Sequence, residues 1–141
     1  MIRLTPARLG FVAATLAAAT AGTAILLAAD PNAPGSRFPP CMFHLFTGYW
    51  CVSCGLTRAL HALVHGDLRR AFAMNPLAMA TLPLMPAMVL WSWGWQPARL
   101  RPLMRVVMEP RLWLVLLPAY WVARNLPWFP FRLLAPGGLL G

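Results

Sequence analysis

The chain contains no lysine, and its only acidic residues are Asp30, Asp67 and Glu109. With so few carboxylates, hydrolysis by a paired general acid and base lacks its reagents. No Walker loop, dinucleotide-binding glycine pattern or nucleophile elbow occurs, so the common nucleotide and acyl-transfer chemistries have no foothold. Charged residues make up 11% of the 141 residues, against about 25% in an ordinary soluble domain. Hydrophobic residues make up 60%, with a mean hydropathy of +0.62. This is the composition of a membrane protein, and the length allows one membrane domain over residues 1–141.

The 12 basic side chains, all arginine, leave a net charge of +9. They are scattered around apolar stretches rather than gathered on one face, and no nucleic-acid motif accompanies them. Basic residues prefer membrane borders, so the expected partner is the lipid bilayer, with no nucleic acid.

Three spans are expected, at about 10–29, 76–95 and 112–126. Gly10 to Ala29 is uncharged and covers about 30 Å as a helix, the thickness of the hydrocarbon core. It exceeds the roughly 7–15 apolar residues of a signal peptide, so it is expected to stay uncleaved. Ala14, Ala18 and Gly22 form a small-residue stripe of the kind used in close helix packing. Pro76 to Trp95 is the second span, bent by Pro83 and Pro86 and ending in the Trp91, Trp93 and Trp95 belt. The third is short, about 22 Å as a helix. Arg124 and Asn125 therefore fall at the membrane edge, where an arginine ordinarily snorkels to headgroups. The tail from Phe131 is expected at the interface.

Orientation is weakly encoded. An amino terminus inside places Arg3, Arg8, Arg99, Arg101, Arg105 and Arg111 on the cytoplasmic side. It places Arg37, Arg58, Arg69, Arg70, Arg124 and Arg132 outside. The density of arginine in 96–111 favours a cytoplasmic amino terminus.

Between the first two spans lies a polar insert, 41–75, holding every cysteine and histidine of the chain. Cys41-x2-His44 and Cys51-x2-Cys54 are two chelating pairs, a donor set that closed tetrahedral zinc sites use. Gly48 and Gly55 can supply the sharp turns of such a knuckle. A disulfide in an oxidising compartment, or a reactive dithiol at a helix amino terminus, fits the same residues. Zinc is thus one expected cofactor among open alternatives. Gly55 to Phe72 has the pattern of an amphipathic or re-entrant helix, broken at Gly66. Its polar side carries Arg58, His61 and His65. Thr57 is placed to cap exposed amides, and Arg58 to bind an anion or pair with Asp67. His61 and His65, at i and i+4, suit a shared ligand, and Arg124 with Asn125 suits an intramembrane polar contact.

Cys51-Val52-Ser53-Cys54-Gly55-Leu56-Thr57-Arg58-Ala59 follows Cys41, Phe43, His44, Thr47 and Gly48. His65-Gly66-Asp67, Asn75-Pro76 and Arg124-Asn125-Leu126-Pro127 come later. Together these blocks resemble a bacterial family of small membrane proteins known only as a domain of unknown function. Its usual form is C-x-F-H-x-x-T-G-x-x-C-P-x-C-G-x-T-R-A, with H-G-D, N-P and R-N-x-P behind it. Val52 stands where that family has proline. The resemblance implies an integral membrane protein with a cysteine-rich loop, and by extension the bacterial inner (cytoplasmic) membrane. It implies no activity.

The expected fold is an all-α membrane protein: three transmembrane helices with a cysteine-rich loop and an amphipathic or re-entrant helix between the first and second. The leading functional expectation is a non-enzymatic accessory or scaffold component, working with a membrane-protein partner or as a homo-oligomer. Its loop would be held by a metal at Cys41, His44, Cys51 and Cys54, or by a disulfide. The alternatives are a thiol–disulfide or metal-handling enzyme using Cys51 and Cys54, and a component of an oligomeric transporter.

Overall fold

Pro6 occupies the first turn of the longest helix, where a missing N–H breaks no intrahelical hydrogen bond. The structure, a computed structural model, describes residues 5–140. Arg3 therefore lies outside the described residues. The first helix, α1 (Pro6–Ala28), is the one helix among the described residues long and apolar enough to cross a membrane alone. None of its residues is buried against the rest of the chain. Leu16, Ile25 and Leu27 are accordingly exposed, and so long an apolar surface calls for an apolar surrounding.

Every other regular element among the described residues is also helical. Helix α2 (Met42–Thr47) was not foreseen in the insert. The expected amphipathic helix is two helices, α3 (Leu56–Val64) and α4 (Leu68–Met74). Gly66, at φ +79°, separates them. Its N–H meets the Leu63 carbonyl at 3.0 Å and the Asp67 N–H meets the Ala62 carbonyl at 2.9 Å. These paired bonds satisfy the last carbonyls of α3 and require the left-handed backbone that glycine adopts freely.

Where the second span was expected, the chain forms α5 (Pro76–Thr81) and α6 (Leu84–Ser92), divided at Pro83. Proline there removes a donor and crowds the preceding turn. A 3-10 turn over Ala98–Leu100 leads into α7 (Arg101–Val107), and α8 (Pro110–Ala123) follows. The segments Ala98–Val107 and Pro110–Ala123 meet at 56° and together have the length and apolarity of a broken span or a re-entrant loop. Neither 76–95 nor 112–126 is thus a continuous helix of membrane length.

Contacts near both ends tie α1 to the rest of the chain. Near its start, Arg8 donates from Nη1 to the Trp93 carbonyl at 3.4 Å, and Phe11 meets the Trp93 ring edge-on at 5.8 Å. Near its end, the Leu26 carbonyl lies 2.8 Å from Nδ1 of His61 in α3. The small core sits at the α3–α4–α5 junction, built from Ala59, Ala62, Ala71, Met74 and Met79. Alanines on α3 and α4 let their backbones approach closely. The carboxyl-terminal stretch packs onto α4 through a bond from the Gly137 N–H to the Ala73 carbonyl at 2.9 Å.

Candidate metal centre

Cys41 immediately precedes α2, and Gly48, at φ +74°, closes that helix. The chain then turns through Cys51–Cys54, with the Cys54 N–H on the Cys51 carbonyl at 3.2 Å. Gly55 starts α3 at φ +82°. A Cβ at Gly55 would lie 2.5 Å from the Met74 carbonyl oxygen, so this position admits no side chain without movement of α4.

The local turns bring three sulfurs together. Cys51 Sγ is 2.9 Å from Cys54 Sγ and 3.4 Å from Cys41 Sγ, while Cys54 Sγ is 2.9 Å from Cys41 Sγ. All three cysteines are free thiols. The trio can hold one metal ion, with all donor atoms within 4.8 Å of one another. A tetrahedral ion with metal–sulfur bonds of about 2.3 Å spreads its sulfurs to roughly 3.8 Å. The observed triangle needs only a modest expansion to accept one.

Side chains from distant elements hold this turn from behind. Arg124, at the end of α8, is 1% exposed. Its Nη1 donates to the Cys51 and Val52 carbonyls at 2.7 and 2.8 Å, and its Nη2 to the Cys54 carbonyl at 3.1 Å. The guanidinium also lies 5.1 Å from the centre of the Tyr120 ring. Asn75, likewise 1% exposed, donates to the Val52 and Cys54 carbonyls at 3.0 and 3.3 Å. Its Oδ1 accepts from the Ala78 N–H at 3.0 Å, capping α5, and from the Tyr120 hydroxyl at 3.3 Å. Asn125 brackets Trp50, accepting from its N–H at 2.7 Å and donating to its carbonyl at 2.9 Å. The snorkelling expected of Arg124 is therefore corrected. A fork of planar donors finds three carbonyls in one tight turn through Nη1 and Nη2, leaving only the buried Nε without a partner.

Charge at the site is unbalanced by carboxylates. The ion pairs among the described residues join Asp30 to His61 and Glu109 to Arg111, and none reaches Arg124. A buried cation is costly without a compensating anion or a full set of acceptors. The carbonyls supply acceptors, and ionised thiols on the same turn are the available source of negative charge. Burial opposes ionisation of Cys51, but hydrogen bonds from Cys54, Ser53 and Cys41 outweigh it and bring its pKa down to about 7. Burial, together with the hydrogen bonds its own thiol donates, pushes Cys54 up to about 12.

The other sequence-predicted residues divide. His44 stacks on Trp50 at 3.7 Å, and its Nδ1 is buried without a hydrogen-bond partner. It stands outside the sulfur trio, yet lines with it a cavity of about 550 Å³, along with Thr57 and Arg58. Thr57 makes no cap, because the N-cap position of α3 is held by Gly55, which has no side chain to offer. Asp67 caps α4 through the Arg70 N–H at 2.8 Å rather than pairing with Arg58. His61 and His65 lie together at the far end of α3, with ring centres 4.3 Å apart. Sequence reasoning missed Asn75, Tyr120 and Trp50. Asn75 had a signal in Asn75-Pro76, which the sequence offers only as one block of the family resemblance. Tyr120 had none.

Residues 41–89 match the model of a family described as "Protein of unknown function (DUF2752)". The segment is similar to that family over those residues. It contains the whole sulfur trio, His44 and Asn75, whereas Tyr120, Arg124 and Asn125 come from beyond it. The matched segment thus carries the candidate ligands, and the rest of the chain carries much of their support. No curated protein and no solved structure matches the sequence.

Proposed function

We propose that the protein is a small integral membrane component whose insert is knotted around one zinc ion, held by Cys41, Cys51 and Cys54 with His44 as fourth donor. The observation that carries this reading is the mutual approach of three free thiols, 2.9–3.4 Å apart, on a turn clamped by Arg124. Three thiolates and one imidazole around a divalent ion leave a net charge of about −1, and the Arg124 guanidinium offsets it. The orphaned His44 Nδ1 finds in the ion the partner it lacks. A closed site of this kind is structural rather than catalytic, which fits an accessory or scaffold role.

The end-to-end contacts of α1 support three spans. Its start meets the end of α6 at Trp93 and its end meets α3 at His61, so α5–α6 runs back beside α1. The broken pair ending in α8 then returns the chain to the cysteine side, where Arg124 meets the turn. On this reading the insert faces outward and the amino terminus faces the cytoplasm of a bacterial inner membrane.

Thiol–disulfide exchange is the second reading, favoured by the lowered Cys51 pKa and its place on the cavity wall. Substitution of Co2+ separates the two. Sulfur-to-cobalt charge-transfer absorption at one ion per chain is expected, lost in Cys51→Ser. A chain that takes no cobalt but cycles one disulfide would replace the zinc reading with the redox one.

A further inference from the structure

The far end of α3 carries a second group of donor side chains. His61 Nδ1 lies 2.8 Å from the Leu26 carbonyl and His65 Nδ1 lies 2.8 Å from the His61 carbonyl. A carbonyl oxygen only accepts, so both Nδ1 atoms carry hydrogen and each ring is held in one orientation. The only lone pair left on each neutral ring is then at Nε2. Donation of one ring nitrogen to a backbone carbonyl is the support a metal-bound histidine usually has, because it fixes the tautomer and raises the basicity of the other nitrogen. The ring centres are 4.3 Å apart, with the ring planes tilted by 41°. Spacing of i and i+4 puts both on one helical face, the spacing by which histidine pairs chelate zinc.

A carboxylate stands beside them. Asp30 Oδ1 is 3.5 Å from His61 Nε2. The same oxygen accepts from the Asn32 N–H at 2.7 Å and from Asn32 Nδ2 at 2.8 Å. These bonds from Asn32 hold the Asp30 carboxyl below the usual carboxylate range. His65 and Asp30 are exposed, so the group opens to solvent. The cysteine trio alone has every donor within 4.8 Å among the described residues. Capture of an ion here therefore draws in the exposed Asp30 or His65 side chain, while the half-buried His61 stays fixed on Leu26.

From this arrangement we infer that His61 and His65, through Nε2, with Asp30 as an oxygen donor, form a second, solvent-open site for a divalent transition-metal ion. Two imidazoles and one carboxylate suit borderline ions such as Zn2+ or Ni2+ and leave coordination positions for water. The site is independent of the cysteine trio, because it shares no ligand with it.

The test uses the untagged full chain in detergent, titrated calorimetrically with Ni2+ alone. The chains compared are the unmodified protein, His65→Ala, Asp30→Asn and Cys51→Ser. His65 is exposed, so its loss removes no buried packing. One Ni2+ equivalent at this site is expected in the unmodified chain, beyond any taken by the cysteines, and it remains in Cys51→Ser. Its affinity should fall at least about tenfold in His65→Ala, the scale on which even an outer partner of a ligand acts, and fall less in Asp30→Asn. Unchanged affinity in His65→Ala, or loss of all binding in Cys51→Ser alone, would overturn the inference. A failed zinc reading at the cysteines would leave the His65 comparison unaffected.

Discussion

Arg124 and Cys51 are 73 positions apart in sequence and are joined by a hydrogen bond of 2.7 Å from the guanidinium to the carbonyl. Through that bond and its two neighbours, the end of α8 sets the shape of the turn that presents the thiols. Arg124→Ala should leave the Cys51, Val52 and Cys54 carbonyls short of donors in a buried setting. Each charge-assisted bond contributes about 1.5–3 kcal/mol, and the losses are not additive. We expect destabilisation of about 3 kcal/mol, read as a lowered thermal midpoint in detergent. Arg124→Lys should recover little of it, because one ammonium cannot serve three carbonyls as a planar fork does. A lysine variant as stable as the parent chain would remove the clamp from the account.

Asn75 supports the same turn from the other side. Asn75→Asp exchanges the Nδ2 donor for an oxygen facing the Val52 and Cys54 carbonyls. The cap on α5 survives, since the remaining oxygen still accepts from Ala78. Lower stability with α5 intact is expected, and helix content by circular dichroism beside the unfolding midpoint checks it. Equal midpoints would mean the donor side of Asn75 carries no weight.

Gly55→Ala should be poorly tolerated. Its backbone is left-handed at φ +82°, and the added Cβ would meet the Met74 carbonyl at 2.5 Å. The left-handed backbone alone costs about 1–2 kcal/mol for a residue with a side chain, and displacement of α4 adds to it. Gly10→Ala in α1 is the control, because nothing lies within 4 Å of a Cβ there. A larger loss at Gly10 than at Gly55 would contradict the packing described.

In the reduced, metal-free chain, Cys51 should be the reactive thiol. Its pKa is depressed to about 7, so the alkylation rate should climb as pH rises through 7 and level off above it. Cys54, pushed up to about 12, should stay protonated and slow across the same range. Mass spectrometry of the labelled chain distinguishes the two positions. Preferential labelling of Cys54 near neutral pH would reverse the assignment.

Much of the candidate site was legible in the sequence because it rests on short-range spacing. Cys51-x2-Cys54 and Gly55 encode a tight turn locally, and α1 announces itself by an uncharged apolar run. The role of Arg124 was not legible. Its position near a span end suggests snorkelling, and only the tertiary fold shows that the carbonyls of a distant turn are its acceptors. His44 shows the opposite difficulty. Its x2 spacing from Cys41 matches a ligand pair, and what the spacing does not show is the stack on Trp50 that holds the ring, with Nδ1 unpartnered, beside a trio of sulfurs that closes without it. The second span fails as one helix for a local reason: Pro83 breaks it, and proline within an apolar run marks a break without saying how far the chain turns.

Elemental analysis with thiol counting, on chain purified without chelators, tests the central claim most directly. The account predicts about one zinc per chain, with the three cysteine thiols becoming reactive only after the metal is removed. A chain free of metal that carries a disulfide among Cys41, Cys51 and Cys54 would contradict it.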